Sequence, residues 1–124
     1  MLRATRQYRD RNEVMIEALR IGSTIAKAAK PLNIYLFGSV AEGKATDQSD
    51  FDFLIVVASD QAIKEAKNNL RPFRPLSSTP IDLIWMTEQE FNRKSLVGGI
   101  AMIAREDGIS LDVKDLINDQ SKNI

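Results

Sequence analysis

The sequence predicts an α/β fold in which one small mixed β-sheet is flanked by helices. Three observations indicate it: a helically periodic segment comes first, strand-like runs follow at 33–37, 50–58 and 81–86, and helical segments separate and succeed these runs. The 124 residues fit a single domain spanning 1–124, which is long enough to bury a hydrophobic core without disulfides.

Three elements are expected in the first half of the chain. Apolar residues at helical spacing predict a helix over residues 6–30, and Pro31 ends it because proline cannot continue a helix. The run 33–37, NIYLF, is a strand rich in β-forming residues. Residues 39–43 are expected to form the first turn of a short helix, and 44–49 a polar loop.

The second half begins with a central strand at 50–58, DFDFLIVVA, whose start is polar and whose body is continuously apolar. Ser59 or Asp60 caps a helix to about residue 70, and three prolines make 71–80 a loop. The run 81–86 is another strand, after which Thr87 and Glu90 form a capping-box pattern. A helix at 97–106, stopped by Gly108, a short strand at 109–112 and a helical or frayed segment at 112–124 complete the chain.

The amino-acid composition excludes several kinds of site. The chain has no Cys and no His, which excludes disulfides, thiolate or imidazole zinc sites, and every Ser–His or Cys–His catalytic pair. An enzyme of this composition takes its base and its metal ligands from carboxylates, whose hard oxygens suit Mg²⁺ or Mn²⁺. The lack of Cys fits a reducing, cytoplasmic setting. Neither a signal peptide nor a membrane-spanning run is visible, so no membrane partner is expected.

The charge distribution argues against a nucleic-acid partner. The net charge is zero, whereas a domain that grips a nucleic-acid backbone usually has a strong basic bias. Residues 42–60 are nevertheless acidic, with five carboxylates against the single basic Lys44. Such a cluster is either a solvated surface or a site that gathers cations.

Gly38 and Ser39 directly follow the predicted strand at 33–37. Glycine lets the backbone approach a ligand closely, and the free N–H groups at the start of the next turn favour an anion. With the Ser39 hydroxyl as a further donor, the pair could cradle a phosphate. By itself, however, a Gly-Ser pair after a strand is more often an ordinary turn.

Three aspartates form the second part of the candidate site. Asp50 and Asp52 lie two residues apart at the start of a predicted strand, so their side chains share one face, roughly 6–7 Å apart. Aspartate is a poor strand former, and two like charges on one face repel unless a cation lies between them. Asp82 lies second in the next strand. It is either an exposed residue at a strand edge or a third carboxylate that faces the first two.

These residues resemble a known signature. Gly38-Ser39, ten further residues and then Asp50-Phe51-Asp52 are similar to the GS-x(10)-D-x-D pattern of minimal nucleotidyltransferases, within the DNA polymerase β-like nucleotidyltransferase superfamily. The string LFGSVAEGKATDQSDFDFLIVV resembles that family's core over its whole length, IDLIWM supplies the expected third aspartate, and residues 104–108 resemble the end of the helix before its last strand. The resemblance covers about residues 8–112.

The resemblance implies the nucleotidyltransferase fold and a metal-dependent reaction. Asp50, Asp52 and Asp82 would be the catalytic residues and would hold two Mg²⁺ ions, with Mn²⁺ as an alternative, and the substrate would be ATP. Asp50 and Asp52 would bind both ions, and Asp82 would bind the ion that activates the acceptor hydroxyl. Gly38, Ser39 and Lys44 would bind the nucleotide phosphates. Family members often carry Arg directly after Gly-Ser, where this chain has Val40.

The resemblance also suggests an acceptor. Freestanding minimal members resemble antitoxins that are encoded beside HEPN-domain toxins, which are ribonucleases, and that transfer AMP to a tyrosine of the toxin. Two alternatives remain open: a non-catalytic antitoxin that acts by binding its toxin, and nucleotide transfer to a small molecule such as an aminoglycoside. A homo-oligomer is compatible with the sequence.

Overall fold

The computed structural model describes residues 11–46 and 49–118, and these residues alternate between helices and strands. The predicted helical positions 6–10, Asp47 of the acidic cluster and the tail from 119 onward lie outside the described residues. The elements are α1 (Arg11–Ala29), β1 (Asn33–Phe37), β2 (Phe51–Val57), α2 (Asp60–Leu70), a short 3₁₀ turn (Arg71–Phe73), β3 (Ile81–Thr87), α3 (Glu88–Lys94), α4 (Gly99–Asp107), β4 (Ile109–Leu111) and α5 (Val113–Asn118).

The four strands form one mixed sheet in the order β3-β2-β1-β4. Strands β2 and β3 are parallel, whereas β1 is antiparallel to both β2 and β4. The first residues of β2 and β3 and the last residue of β1 therefore meet at one end of the sheet. The prediction of a small mixed sheet is confirmed. In the pairing register, Phe37, Asp52 and Asp82 lie side by side there.

Helices cover both faces of the sheet, because the strand side chains alternate between two hydrophobic clusters. Phe51, Phe53 and Ile55 of β2 pack with α1, α2 and α5 on one face. Leu54 and Val56 pack with α3 and α4 on the other face. Since successive strand residues point to opposite faces, Asp52 shares the face of Leu54 and Val56. In the part of the chain described, no helix is long and apolar enough to cross a membrane.

Two helix starts were predicted from their capping residues and are confirmed. The Ser59 hydroxyl accepts a hydrogen bond from the Ala62 N–H at 3.1 Å, at the start of α2. The Thr87 hydroxyl accepts from the Glu90 N–H at 3.1 Å, at the start of α3. Each bond satisfies one of the N–H groups that a helix leaves without an acceptor at its first turn.

Other boundaries differ from the sequence prediction. Strand β2 begins at Phe51, so Asp50 precedes the strand, and α4 begins at Gly99 where a start at 97 was predicted. The segment 39–43 is a turn and not a helix. Its Glu42 N–H donates to the Gly38 carbonyl at 3.1 Å, but Gly43 then adopts φ 75°. That left-handed residue ends the helical path after one turn.

A buried carboxylate holds the loop that leads into β3. Glu17 of α1 accepts two hydrogen bonds from Arg20, at 2.7 and 2.8 Å, and one from the Ser77 hydroxyl at 2.6 Å. Arg20 also donates to the Leu76 carbonyl at 2.6 Å. This network fixes the end of the 71–80 loop against α1, and the loop in turn sets the position from which the chain reaches Asp82.

Candidate functional site

Asp52 and Asp82 are brought together by the backbone of the sheet. They are paired residues of the parallel strands β2 and β3. Neighbouring strands lie about 4.8 Å apart and paired side chains point to the same face. Asp82 therefore lies beside Asp52 on the same face of the sheet. Its side chain is exposed.

The charge of Asp82 affects the titration of Asp52. The pKa of Asp52 is raised from 3.8 to about 6 by burial, which is the largest cause, together with the negative charges of Asp82 and Asp50 and a side-chain hydrogen bond to Asp82. A carboxyl group acquires such a pKa when its charged form lacks enough cations or hydrogen-bond donors. Perturbed carboxyl groups of this kind cluster at functional sites.

Asp50 contributes charge from outside the strand. It lies directly before β2 and is half-buried, and its negative charge is one of the causes of the raised pKa of Asp52. The sequence analysis expected Asp50 and Asp52 on one strand face. The structure instead places Asp50 at the end of the loop that enters β2, from which its charge still reaches Asp52.

Gly38 lies against the carboxylate of Asp52. A Cβ atom added at Gly38 would overlap the Oδ2 atom of Asp52, and the glycine adopts φ 79°. Only glycine takes up this backbone conformation at no steric cost. The backbone at Gly38 therefore lies close to the Asp52 carboxylate, whereas the sequence analysis expected it to approach a ligand.

The turn after Gly38 contains the remaining predicted phosphate-binding residues. Ser39 is half-buried, and its carbonyl accepts from the Lys44 N–H at 2.8 Å, which closes the turn. Lys44 has a side chain that is 76% exposed, and its ion pair within the described residues is with Glu42 at 3.7 Å. The structure thus brings Ser39 next to the site through Gly38, but leaves Lys44 in solvent.

Val40 belongs to the hydrophobic core. It is 4% exposed and packs in the same cluster as α1 and α2. The side chain at this position is therefore directed away from the surface on which a phosphate would bind. In this chain the residue after Gly-Ser supports the turn by packing.

Phe37 is a site neighbour that the sequence analysis passed over. It is buried, and it is the cross-strand partner of Asp52 on the side opposite to Asp82. An apolar ring at that place withholds water and hydrogen bonds from the carboxylate, in keeping with burial as the largest cause of its raised pKa. The position of Phe37 in the sequence, at the end of a predicted strand and immediately before Gly38, could have indicated that it adjoins the site.

The three aspartates fit a divalent cation in their chemistry. Their oxygens are the hard donors that Mg²⁺ and Mn²⁺ prefer, and their mutual repulsion is what a cation would relieve. Within 11–46 and 49–118, however, no three acidic side chains are already gathered closely enough to hold a metal ion. The backbone places Asp52 beside Asp82. To bind one ion together, the three aspartate side chains would have to rotate toward each other.

We expect the titration of Asp52 to report cation binding. Its folded pKa lies above its ordinary value, so the metal-free protein holds an extra proton between about pH 4 and 6. Its contribution to stability is therefore greatest below pH 4 and falls as the pH rises to about 6. With no His in the chain, little else titrates near pH 6.

The test is carboxyl-carbon NMR of Asp52 in EDTA and then in excess Mg²⁺. A midpoint near pH 6 in EDTA that moves downward in Mg²⁺ is expected, because the cation stabilises the carboxylate. A midpoint that Mg²⁺ leaves in place would contradict a cation site at Asp52.

The chain is similar to known proteins in family and in fold. A family model described as a nucleotidyltransferase domain matches residues 20–110. The fold is similar to the crystal structure of a candidate nucleotidyltransferase from Sulfolobus solfataricus, with a TM-score of 0.55. The two chains are 20% identical, and the similarity covers 86% of this chain and 90% of that chain. No curated protein matches this chain at a significant level.

Proposed function

The chain belongs to the nucleotidyltransferase domain family, and from this premise we propose that it transfers AMP from ATP to a hydroxyl group of a partner protein. The observation that supports a working transfer site is the coupling of Asp50, Asp52 and Asp82 at one end of the sheet. Nucleotidyltransferase domains act on a nucleoside triphosphate with a divalent metal, and this acidic site beside Gly38 is where both would bind.

The residues have separate roles in the proposed reaction. The backbone at Gly38 and the hydroxyl of Ser39 bind the β- and γ-phosphates, because N–H and O–H donors suit phosphate oxygens. Asp50 and Asp52 are the principal metal ligands. Asp82 is the exposed member of the set, so it meets the acceptor hydroxyl and takes its proton. The acceptor oxygen forms a bond to the α-phosphorus, the bond from that phosphorus to pyrophosphate breaks, and pyrophosphate leaves.

The donor set implies two Mg²⁺ ions, which when bound would neutralise the charge that builds on the phosphates during this displacement. The protein's own contribution is to hold Asp52 beside Asp82, with Asp50 near enough for its charge to reach Asp52. The raised pKa of Asp52 is the cost of that arrangement in the metal-free protein.

Two observations favour a protein as the acceptor. The net charge of zero does not suit an RNA or DNA backbone. The acidic end of the sheet is also open, since Asp82 is exposed and β3 forms one edge of the sheet among the described residues. The resemblance to antitoxins points to a HEPN-domain toxin encoded nearby as the partner, with the cytoplasm as the shared compartment.

The test is to mix the purified protein with ATP, Mg²⁺ and the HEPN-domain protein encoded beside it, and to weigh that protein by intact-mass spectrometry. We expect one or more additions of AMP that require Mg²⁺ and that disappear in EDTA. A verified partner that binds the chain and gains no AMP under these conditions would refute protein AMPylation. The chain incubated alone with ATP is the control for self-modification.

Two observations favour a second function. The described acidic residues do not form a ready-made metal cluster, and Val40 stands where relatives often carry an arginine. Both would suit an antitoxin that neutralises its partner by covering it, with the aspartates dispensable. Protection of cells by an Asp50→Asn/Asp52→Asn variant as effective as the wild type would favour this function over transfer.

A further inference from the structure

Strand β3 is an edge strand of the sheet that the described residues form. It pairs with β2 on one side, and on the other side no strand of the described chain adjoins it. Edge strands are commonly protected by a lysine, a proline or a bulge. The seven residues of β3, IDLIWMT, contain neither lysine nor proline and pair with β2 in continuous register. Such an edge is suited to accept a further strand.

The hydrogen-bonding groups on this edge can be assigned. The Phe51 N–H donates to the Pro80 carbonyl at 3.1 Å, so the backbone of residue 80 faces β2. Backbone direction alternates along a strand, so residues 82, 84 and 86 also face β2. Ile81, Leu83, Trp85 and Thr87 therefore direct their N–H and C=O groups outward, away from β2.

A basic groove runs beside the same edge, on the sheet face opposite to Asp82. It is a cavity of about 370 Å³. Its lining residues are Lys67, Leu70, Arg71, Arg74, Leu83 and Trp85. The three cationic side chains are exposed, and none of them forms an ion pair within the described residues. A second cavity of about 380 Å³ shares Arg74 and continues to Pro80 and Ile81, next to Asp82.

We propose that the acceptor segment of the partner protein docks here as an extended, acidic strand added to β3. This proposal rests on the proposed transfer to a protein hydroxyl and specifies how that hydroxyl is presented. A strand added to the edge places one of its residues opposite Asp82, with side chains about 4.5–5.5 Å apart on the same face. That residue carries the acceptor hydroxyl.

The alternation of side chains then sets the acceptor sequence. The residues on either side of the hydroxyl residue point to the other face of the sheet, where Arg71 and Arg74 lie. Acidic residues at those two positions meet Arg71 and Arg74, while acidic residues two positions away meet the aspartates and are repelled. The acceptor segment is therefore a hydroxyl residue with acidic immediate neighbours.

A peptide accounts for this surface better than a nucleic acid does. The outward N–H and C=O groups of β3 alternate as donors and acceptors, and a peptide backbone pairs with them in the same pattern. A single-stranded nucleic acid would use the cations and Trp85, but it would leave the edge groups unpaired.

Binding can be tested without catalysis, because Trp85 is the sole tryptophan of the chain and lines the groove. The probe is a peptide Thr-Glu-Tyr-Glu-Thr, titrated in EDTA without ATP while indole emission is followed. Its isomer Glu-Thr-Tyr-Thr-Glu has the same composition and charge but exchanges the faces on which the acids lie. We expect the first peptide to bind at least about tenfold more tightly, a difference of about 1.4 kcal/mol. Equal affinities, or no emission change with either peptide, would overturn the proposal.

Variants of the edge and of the groove separate the two contributions. Arg71→Glu with Arg74→Glu should lower peptide affinity at least about tenfold, while Lys64→Glu, an exposed cation on α2 outside the groove, should leave it unchanged. Leu83→Pro removes an outward N–H and spares the ladder to β2, so it should also weaken binding in a variant whose folding is verified by circular dichroism.

A further probe tests the competing occupant. An oligothymidylate that binds more tightly than the Thr-Glu-Tyr-Glu-Thr peptide, and that loses affinity in the groove variants, would assign this surface to nucleic acid and overturn the proposal. Peptide binding that follows the expected pattern in a protein that transfers no AMP would refute the proposed enzyme function and leave the docking surface standing. If the Leu83→Pro variant and the groove variants transferred AMP to the partner at wild-type rates, the docking surface alone would be refuted.

Discussion

Replacing Asp52 with asparagine is expected to abolish AMP transfer and, in the same protein, to increase the stability of the metal-free fold near neutral pH. The two effects have one cause. At pH 7.5 the carboxylate of Asp52 is ionised beside Asp82 and Asp50, at a place where burial already disfavours its charge. Asparagine has the same shape without that charge, so the repulsion is relieved, while a principal metal ligand is lost.

The size of the catalytic effect follows from the role assigned to the residue. Loss of a group that stabilises charge in the transition state typically costs a hundredfold or more in rate, so we expect a fall of at least about 10²-fold in AMP transfer. The stability gain is seen as a higher Tm in EDTA at pH 7.5, and it should vanish at pH 4, where Asp52 is protonated in the wild-type fold. Trade-offs of this kind are common where function requires a destabilised site.

Glu65→Gln is the matched control, because it removes one negative charge from the exposed surface of α2. It should leave AMP transfer unchanged and should not raise Tm at pH 7.5 in EDTA. An Asp52→Asn variant with full transfer activity would remove Asp52 from the catalytic set. One with a lower Tm at pH 7.5 in EDTA would show that the carboxylate is satisfied in the free protein, contrary to its raised pKa.

Replacing Gly38 with alanine should produce the second large effect, on both stability and nucleotide binding. The added Cβ would overlap the Oδ2 atom of Asp52, and the backbone would be held at φ 79°. A left-handed conformation costs a residue other than glycine about 1–2 kcal/mol, and relief of the overlap would displace the Asp52 carboxylate. We expect Tm to fall by roughly 5–10 °C and ATP affinity in Mg²⁺ to fall at least about tenfold.

Gly99→Ala separates the two contributions. Gly99 adopts φ 77°, close to the φ of Gly38, but a Cβ added there meets nothing within 4 Å. Gly99→Ala should therefore show the loss of Tm that comes from the backbone alone, with ATP affinity unchanged by calorimetry. If Gly38→Ala bound ATP as tightly as Gly99→Ala, the close approach of Gly38 to Asp52 would have no part in nucleotide binding.

Local signals in the sequence were sufficient for most of the fold. The caps at Ser59 and Thr87 were predictable because each depends on a hydrogen bond to a residue three positions away. Strands 33–37 and 81–86 and the buried strand between them were predictable from continuous runs of β-forming residues. The errors are at boundaries: at 39–43 and at the start of β2, one glycine conformation or one residue of pairing decides the boundary, and α4 begins two residues later than predicted.

The sequence by itself determined the chemistry available to this protein: with neither Cys nor His, carboxylates are its only strong metal ligands, and its spacing of Gly-Ser and three aspartates assigned it to the right superfamily. Only the tertiary structure decided which of these groups interact. The parallel pairing of β2 with β3 sets Asp82 beside Asp52, and the left-handed turn sets Gly38 against the same carboxylate. The basic groove beside β3 likewise depends on α2 and β3 packing together. Contacts between distant segments depend on strand order, register and packing, which no local pattern of residues specifies.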